Sequence, residues 1–330
     1  MSTQTQRFKR KTQSQPLRIE DPRYASFITS RCLNSALWFV NNKPLDNHML
    51  GYLGKYREKH NVTLYAFVMQ GNHYHTVAKF PDCNRAGFER DFNSQFAAAV
   101  KRFVPGFPGG PLFQRRYSAE AVPNPEDIED SFFYSALQPV CAGLLEEQDD
   151  YPSYNSFYDA IWGRERTVKV FRASEYNSRR RYNAKLKKED FTDEFTLKYA
   201  RLPGYEDLSQ TEYAKLMLKK REEHRVRLVD KFKAENHTFL TKQQVRATVP
   251  GTLPRSTKKS TLDTSRPLIR SKNPATIRAY LSEHFPVHES YKRASERYLL
   301  GEDNVVFPPG TYRPPARFTP YPRTKSPTSG

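Results

Sequence analysis

His73 and His75 stand one residue apart in the stretch GNHYH (71–75), directly after the apolar run TLYAFVM. On an extended strand, residues i and i+2 face the same way, so the two imidazoles would lie side by side while Tyr74 points to the opposite face. Two neighbouring imidazoles make a bidentate clamp for a divalent metal. The same spacing also fits ordinary core or surface histidines. A second pair, Tyr134 and Gln138, is four residues apart, which on a helix puts both on one face. At about 100° per residue, Asp127, Asp130 and Ser131 fall within about 60° of Tyr134, and Ile128, Phe132 and Ala136 fall on the far side. Such a helix packs through its Ile/Phe/Ala side and turns Tyr134 and Gln138 towards a polar space. A half-buried tyrosine at a helix edge is the plainer alternative. Gln114, Arg115, Arg116 and Tyr117 combine donors, cations and an aromatic ring in one short stretch. On a strand, alternate members would contact phosphates or stack on bases, or would be the solvated residues of an edge.

Elements of the right kind surround these residues. Ala25 to Phe39 begins as a strand, and Asp46 can cap a helix running to about His60. Thr63 to Met69 is rich in β-formers, Gln70-Gly71-Asn72 signals a turn, and His73 to Phe80 reads as the returning strand. Arg85 to Phe103 carries Phe88, Phe92, Phe96, Ala99, Val100 and Phe103 at helical spacing. Leu112 to Val122 reads as another strand. Asn124-Pro125-Glu126-Asp127 starts a helix towards Pro139, with an Asn cap, Pro at the first position and acids near the positive dipole end. The order β-α-β-β-α-β-α predicts an α+β domain over residues 18–160, a ferredoxin-like antiparallel sheet with helices on one face. Residues 1–17 read as a disordered tail.

Charge divides the chain. Residues 1–160 carry 18 Lys+Arg against 17 Asp+Glu, a net of +1, and residues 161–330 carry 36 against 19, a net of +17. Such asymmetry favours a polyanionic partner, nucleic acid first, over a merely solvated basic tail. The basic half reads as a mainly helical and irregular extension over 161–247, with a long helix from Ser209 to Ala234. An exposed linker over 248–273, two short helices within 274–306 and a Pro-rich tail over 307–330 follow. Arg179-Arg180-Arg181, Lys219-Lys220-Arg221 and Lys258-Lys259 would bind a nucleic-acid backbone without reading sequence. Cys32, Cys83 and Cys141 form no C-x-x-C pair, which argues against a disulfide scaffold or a thiolate zinc site. No stretch approaches 18 apolar residues and the polar, basic N-terminus has no apolar core, so the expectation is a cytoplasmic protein with no membrane partner.

Three blocks occur in order: MQGNHYHTVAKF (69–80), LFQRRYSAEAV (112–122) and YSALQPVCAGLLEEQDDYPSYNSF (134–157). Together they resemble the single-tyrosine HUH transposases, the insertion-sequence 200 type and the related REP-associated tyrosine transposases. His73-Tyr74-His75 resembles the HUH motif. Tyr134, Gln138 and the run Pro139-Val140-Cys141-Ala142-Gly143-Leu144 resemble the family's nucleophile block. The turn before the histidines lacks the proline of many relatives, and Gln138 follows the insertion-sequence branch where the REP-associated branch more often has Asn. The resemblance covers residues 20–160 and implies a ferredoxin-like fold. It also implies Mg²⁺ or Mn²⁺ on His73, His75 and Gln138, and a nucleophilic Tyr134 that forms a 5′-phosphotyrosine link. Single-stranded or hairpin DNA is the implied partner and the bacterial nucleoid the implied location. A homodimer with sites completed across two chains, as in some relatives, stays open. Tyr151, Tyr154 and Tyr158 lie nearby, but none has a Gln four residues on.

Three other readings compete. A DNA- or RNA-binding protein on the same fold would bind without cleaving. A zinc base deaminase needs His-x-Glu and Pro-Cys-x-x-Cys, which are absent from the sequence. A structural basic protein with an incidental His pair would show no affinity for divalent ions.

Overall fold

The fold rests on one buried stripe of aromatic rings. In a computed structural model describing residues 17–254 and 269–314, β1 (Ala25–Arg31), β2 (Thr63–Met69), β3 (His73–Lys79) and β4 (Ser118–Val122) form an antiparallel sheet in the order β2-β3-β1-β4. That order and the two helices α1 (Lys43–Lys59) and α2 (Arg85–Phe103) are ferredoxin-like. The sequence class is α+β, as its periodicities predict. Phe88, Phe92 and Phe96 of α2 are fully buried; Phe92 packs edge-on against Phe67 of β2 and Tyr74 of β3, Phe96 stacks on Tyr74, and Phe88 stacks on Phe92. Each such ring contributes about 1.5–3 kcal/mol by leaving water. Because side chains alternate along a strand, the choice of Tyr74 for this core sends His73 and His75 to the other face.

That other face is taken by α3 (Pro125–Ala136), followed after Leu137 by the short α4 (Gln138–Cys141). Ile128, Phe132 and Ala136 are buried, as the helical periodicity requires. The basic half continues with α5 (Phe157–Ile161), β5 (Arg166–Phe171), α6 (Ala173–Arg180), β6 (Thr192–Leu197), α7 (Gln210–Ala234), α8 (Lys242–Arg246) and α9 (Pro274–Leu300). β5 and β6 pair as a separate hairpin packed on α1. Gly51 and Gly54 of α1 allow that approach: a Cβ on Gly51 would meet the Lys169 carbonyl oxygen at 2.7 Å, and one on Gly54 the Val168 Cγ2 at 2.7 Å. α7 packs on α4, where Leu137, Val140 and Val229 form a small second core.

Several boundaries differ from the sequence expectation. β1 stops at Arg31 because Asn34 and Ser35 adopt left-handed backbone, which no strand continues through. α1 is capped by Asn42, whose side chain accepts from Leu45 N at 2.9 Å; Asp46 lies inside the helix, buried, its acid pushed up to about 7 by burial. The strand expected over 112–122 is only Ser118–Val122. Phe113 bridges to Cys32 and Gln114 N donates to Arg31 O, which hooks this segment onto the end of β1 and leaves Gln114, Arg115 and Arg116 exposed and off the sheet. The two helices expected after 274 are one. Pro286 removes a backbone donor, yet Tyr280 on Tyr24 and an ion pair of Glu283 with Arg23 (2.6 Å) hold the helix before it, and Tyr291 packed on Phe307 holds it after. No helix among the described residues is long and apolar enough to cross a membrane.

Alanine normally stabilises a helix interior relative to glycine by about 1 kcal/mol. Gly51→Ala should do the reverse here, costing about 1–3 kcal/mol, because the new methyl meets backbone. Urea denaturation of the two forms checks this; an equal or higher midpoint for the variant would refute the close packing of hairpin on helix.

Candidate active site

Register builds the site. In the β1–β3 pairing, Arg31 lies opposite His73 and Thr29 opposite His75, and in β1–β4 Phe27 lies opposite Glu120. Directly opposed residues share a face, so these side chains gather with the two imidazoles. His73 and His75 are 7% and 3% exposed, with ring centroids 4.7 Å apart. Tyr134 approaches from α3, its ring 5.7 Å from His75 and 5.7 Å from Phe27.

Each imidazole is held through its Nδ1, and for His73 the hydrogen bonds also fix the tautomer. Asn72 donates its amide N–H to Ser35 O at 2.7 Å, so its carbonyl oxygen is the atom 2.6 Å from His73 Nδ1. His73 Nδ1 must therefore carry the proton, and Nε2 keeps a free lone pair. His75 Nδ1 lies 2.9 Å from the Thr29 hydroxyl, which holds the second ring in place. Both Nε2 atoms are buried and have no hydrogen-bond partner. Burial holds both imidazoles neutral. It lowers His73 well below its usual value, helped by His75 and Arg31, and His75 to about 3, helped by Arg270 and Arg31. Gln138 opens α4 with its side chain buried, and its Oε1 is also buried without a partner. Neutral imidazoles and a carboxamide oxygen are each donors that a divalent cation accepts. Among the described residues, no group of three or more His, Cys, Asp or Glu side chains could hold a metal, so such a set must include Gln138 or oxygens from outside the protein.

Two cations frame the tyrosine. Arg270 lies with its guanidinium 4.3 Å over the Tyr134 ring and 4.1 Å over Phe27, 3.6 Å from Glu120. Its backbone N–H donates to Ala121 O at 2.8 Å, beside a bridge between Ala121 and Ile269. Burial raises the Tyr134 phenol above its usual value, while Arg270 and Arg31 pull it down. Tyr134 is 36% exposed, and no hydrogen bond among the described residues holds its hydroxyl. The neighbouring tyrosines are engaged: Tyr151 accepts from Gly71 N at 2.7 Å, Tyr154 donates to Asp159 at 2.8 Å and Tyr158 to Asp149 at 2.7 Å.

Sequence reasoning reached His73, His75, Tyr134 and Gln138 but missed Thr29, Arg31, Asn72 and Arg270. Asn72 adjoins the pair and carries an amide suited to hold it. Thr29 and Arg31 become visible only through strand register, and nothing local marks Arg270. The basic clusters are spread apart. Arg179, Arg180 and Arg181 are exposed at the end of α6, with Arg179 paired to Glu175 at 2.8 Å. Lys219 is exposed, whereas Lys220 binds Glu129 (2.7 Å) on α3 and Arg221 binds the Tyr158 hydroxyl (2.6 Å). Those two tie α7 to the fold. Lys258 and Lys259 lie outside the described residues.

The buried neutral His75 makes stability depend on pH. Its pKa is about 3 folded against 6.5 unfolded, so its contribution is complete above about 6.5 and is lost as pH falls towards 3, where only the unfolded chain takes up the proton. Asp46 and Glu89, both raised to about 7 by burial, act in the opposite direction. The readout is therefore the difference between wild type and His75→Gln in urea titrations with chelator present. From pH 7 to pH 5 the wild type should lose about 2 kcal/mol more than the variant; identical slopes would show that His75 is not held neutral.

No protein-family model matches the sequence, and no curated relative does either. Among solved structures, a REP-associated tyrosine transposase bound to a REP hairpin is similar at 21% identity over 44% of this chain and 83% of that one, with a TM-score of 0.36. The tRNA(His) guanylyltransferase from Saccharomyces cerevisiae is similar at 13% identity over 47% of this chain and 72% of that one, with a TM-score of 0.32. At such overlap neither bears on what the site does.

Proposed function

We propose that this protein is a divalent-metal-dependent single-strand DNA endonuclease and strand transferase, acting at a DNA hairpin or repeat through a 5′-phosphotyrosine on Tyr134. The observation that carries this reading is the pair of buried, unpartnered Nε2 atoms on His73 and His75 beside an accessible phenol. A protein that only binds nucleic acid has no use for them.

His73, His75 and Gln138 would hold Mg²⁺ or Mn²⁺, with Asn72 and Thr29 orienting the imidazoles. Bound there, the ion supplies positive charge that polarises the scissile phosphate. Arg270 and Arg31 flank the phenol and offset the negative charge of the incoming strand. The Tyr134 oxygen attacks phosphorus, the bond to the 3′-oxygen breaks, the phenol proton passes to solvent and the departing oxygen takes one up as a 3′-hydroxyl. Arg270 over the ring favours the phenolate as that proton leaves. The new ester preserves the phosphodiester linkage, so a second 3′-hydroxyl can reverse the step and join strands without ATP. In this reading residues 18–160 supply the nucleophile and the metal donors, Arg270 joins them from the second half, and exposed cations such as Arg115, Arg116 and Arg179–Arg181 hold the backbone.

Incubation with end-labelled hairpin DNA and Mn²⁺ should give a covalent adduct that peptide mass spectrometry maps to Tyr134. Tyr134→Phe should still bind the DNA and form no adduct; adduct-free binding by the wild type would leave the binding-only reading. Arg270→Ala should slow cleavage by about 100-fold with little change in DNA affinity. An unchanged rate would remove Arg270 from the mechanism.

A further inference from the structure

A second site lies on the opposite side of the sheet. A cavity of about 910 Å³ opens between α2, residues 112–117 and α9, a size typical of small-molecule sites. Glu89 and Asn93 of α2 form its floor, Arg116 and Tyr117 a wall, and Lys292 and Ser295 of α9 its roof. Glu89 is 0% exposed. Its Oε2 accepts from the Tyr74 hydroxyl at 2.9 Å and from the Asn93 amide at 2.8 Å, while its Oε1 has no partner. Ser295 Oγ is likewise buried and unpartnered. A buried acid normally has its acceptor atoms satisfied, so the free oxygen marks a place for a donor. Around it, Arg18 stacks on Tyr117 at 4.5 Å, and Arg115, Arg116, Lys292 and Arg313 make no ion pair among the described residues. One unmatched acceptor deep inside, aromatic walls and unmatched cations at the rim match the parts of a nucleotide in order: an N–H edge, a ring and a phosphate.

We propose that this cavity binds a guanine nucleotide, with the guanine N–H edge on Glu89, the ring beside Tyr117 and the phosphate among the arginines and Lys292. Guanine is the base whose pairing edge sets two N–H donors side by side, which suits the two unpartnered acceptors of this cavity, Glu89 Oε1 and Ser295 Oγ. Above about pH 7, where Glu89 is ionised, adenine and cytosine present a ring acceptor that the carboxylate repels. The nucleotide comes either free or as part of a DNA strand. Ser30 lines the cavity while the next residue, Arg31, faces His73, so a strand could reach from one site to the other around the end of β1. The site needs neither the metal nor Tyr134 and stands apart from the proposed cleavage reaction.

Calorimetry with the full chain at about pH 8.5, where Glu89 is ionised, and without divalent ions, tests it using dGMP and deoxyribose 5-phosphate. A parallel fluorescence titration uses an oligonucleotide carrying one 2-aminopurine, displaced by its guanine-containing counterpart. dGMP should bind more tightly than the sugar phosphate. Glu89→Gln, which keeps the shape but turns a donor towards the base, should weaken dGMP by about tenfold or more. Lys292→Ala, an exposed change that should not disturb folding, should weaken both probes. A response from dGMP alone supports a free nucleotide, and one from the oligonucleotide alone supports a nucleotide within the strand. If neither binds, or if both variants bind like the wild type, the proposal is wrong. Tyr134→Phe should bind dGMP normally, so failure of the cleavage reading and failure of this one are separable.

Discussion

A buried polar nitrogen without a hydrogen-bond partner costs about 1–3 kcal/mol, and this fold keeps two of them, the Nε2 atoms of His73 and His75, on one face of one strand. They are maintained by opposing restraints. Asn72 and Thr29 occupy the Nδ1 atoms, burial and two nearby guanidiniums keep both rings uncharged, and Tyr74 anchors the strand between them in the aromatic core. Rotating either imidazole to reach a partner would break its Nδ1 bond. The aromatic stripe, the strand order and the placement of α3 all follow from, or lead to, this arrangement. A ligand that engages both nitrogens would relieve the cost in a way that no local rearrangement can.

Legibility in the sequence tracked the range of the interactions. β2, β3 and α2 could be read within a residue or so because alternation and the Phe88/Phe92/Phe96 spacing are local patterns that the core reinforces. The placement of Ile128, Phe132 and Ala136 inwards could be read for the same reason. Where tertiary contacts decide, the reading failed. Residues 112–117 have a strand's composition but are captured by the chain after β1. Pro286 has a breaker's identity but sits in a helix held from both sides. The cap of α1 is Asn42 and not Asp46 because Pro44 in the first turn already starts the helix there and the Asn42 side chain takes the Leu45 N–H. Of the candidate site, the residue types were legible, but the partners that set their protonation were not, since Thr29 and Arg31 meet the histidines only through register.

The excess charge of the second half has more than one use. Lys220 pairs with Glu129, and Arg221 pairs with Asp149 and donates to the Tyr158 hydroxyl, fastening α7 against the sheet domain. Phe133 stacks on His224 at 5.0 Å in the same contact, so α3 is gripped from α7 as well as from the sheet. A cluster of cations in a sequence can therefore be structural cement in one member and free surface in the next, as Lys220 and the exposed Lys219 illustrate.

Arg270 closes the molecule in a second sense. The guanidinium that covers the Tyr134 ring is contributed by a residue far down the chain, held by Ile269 and its own N–H against the last strand of the sheet. Synthesis therefore produces the phenol long before it produces the cation that tempers it. Until the ribosome has passed position 270, the ring has Phe27 and His75 beside it but no guanidinium over its face. The pocket gains its full electrostatic character only once residue 270 has emerged and packed against β4.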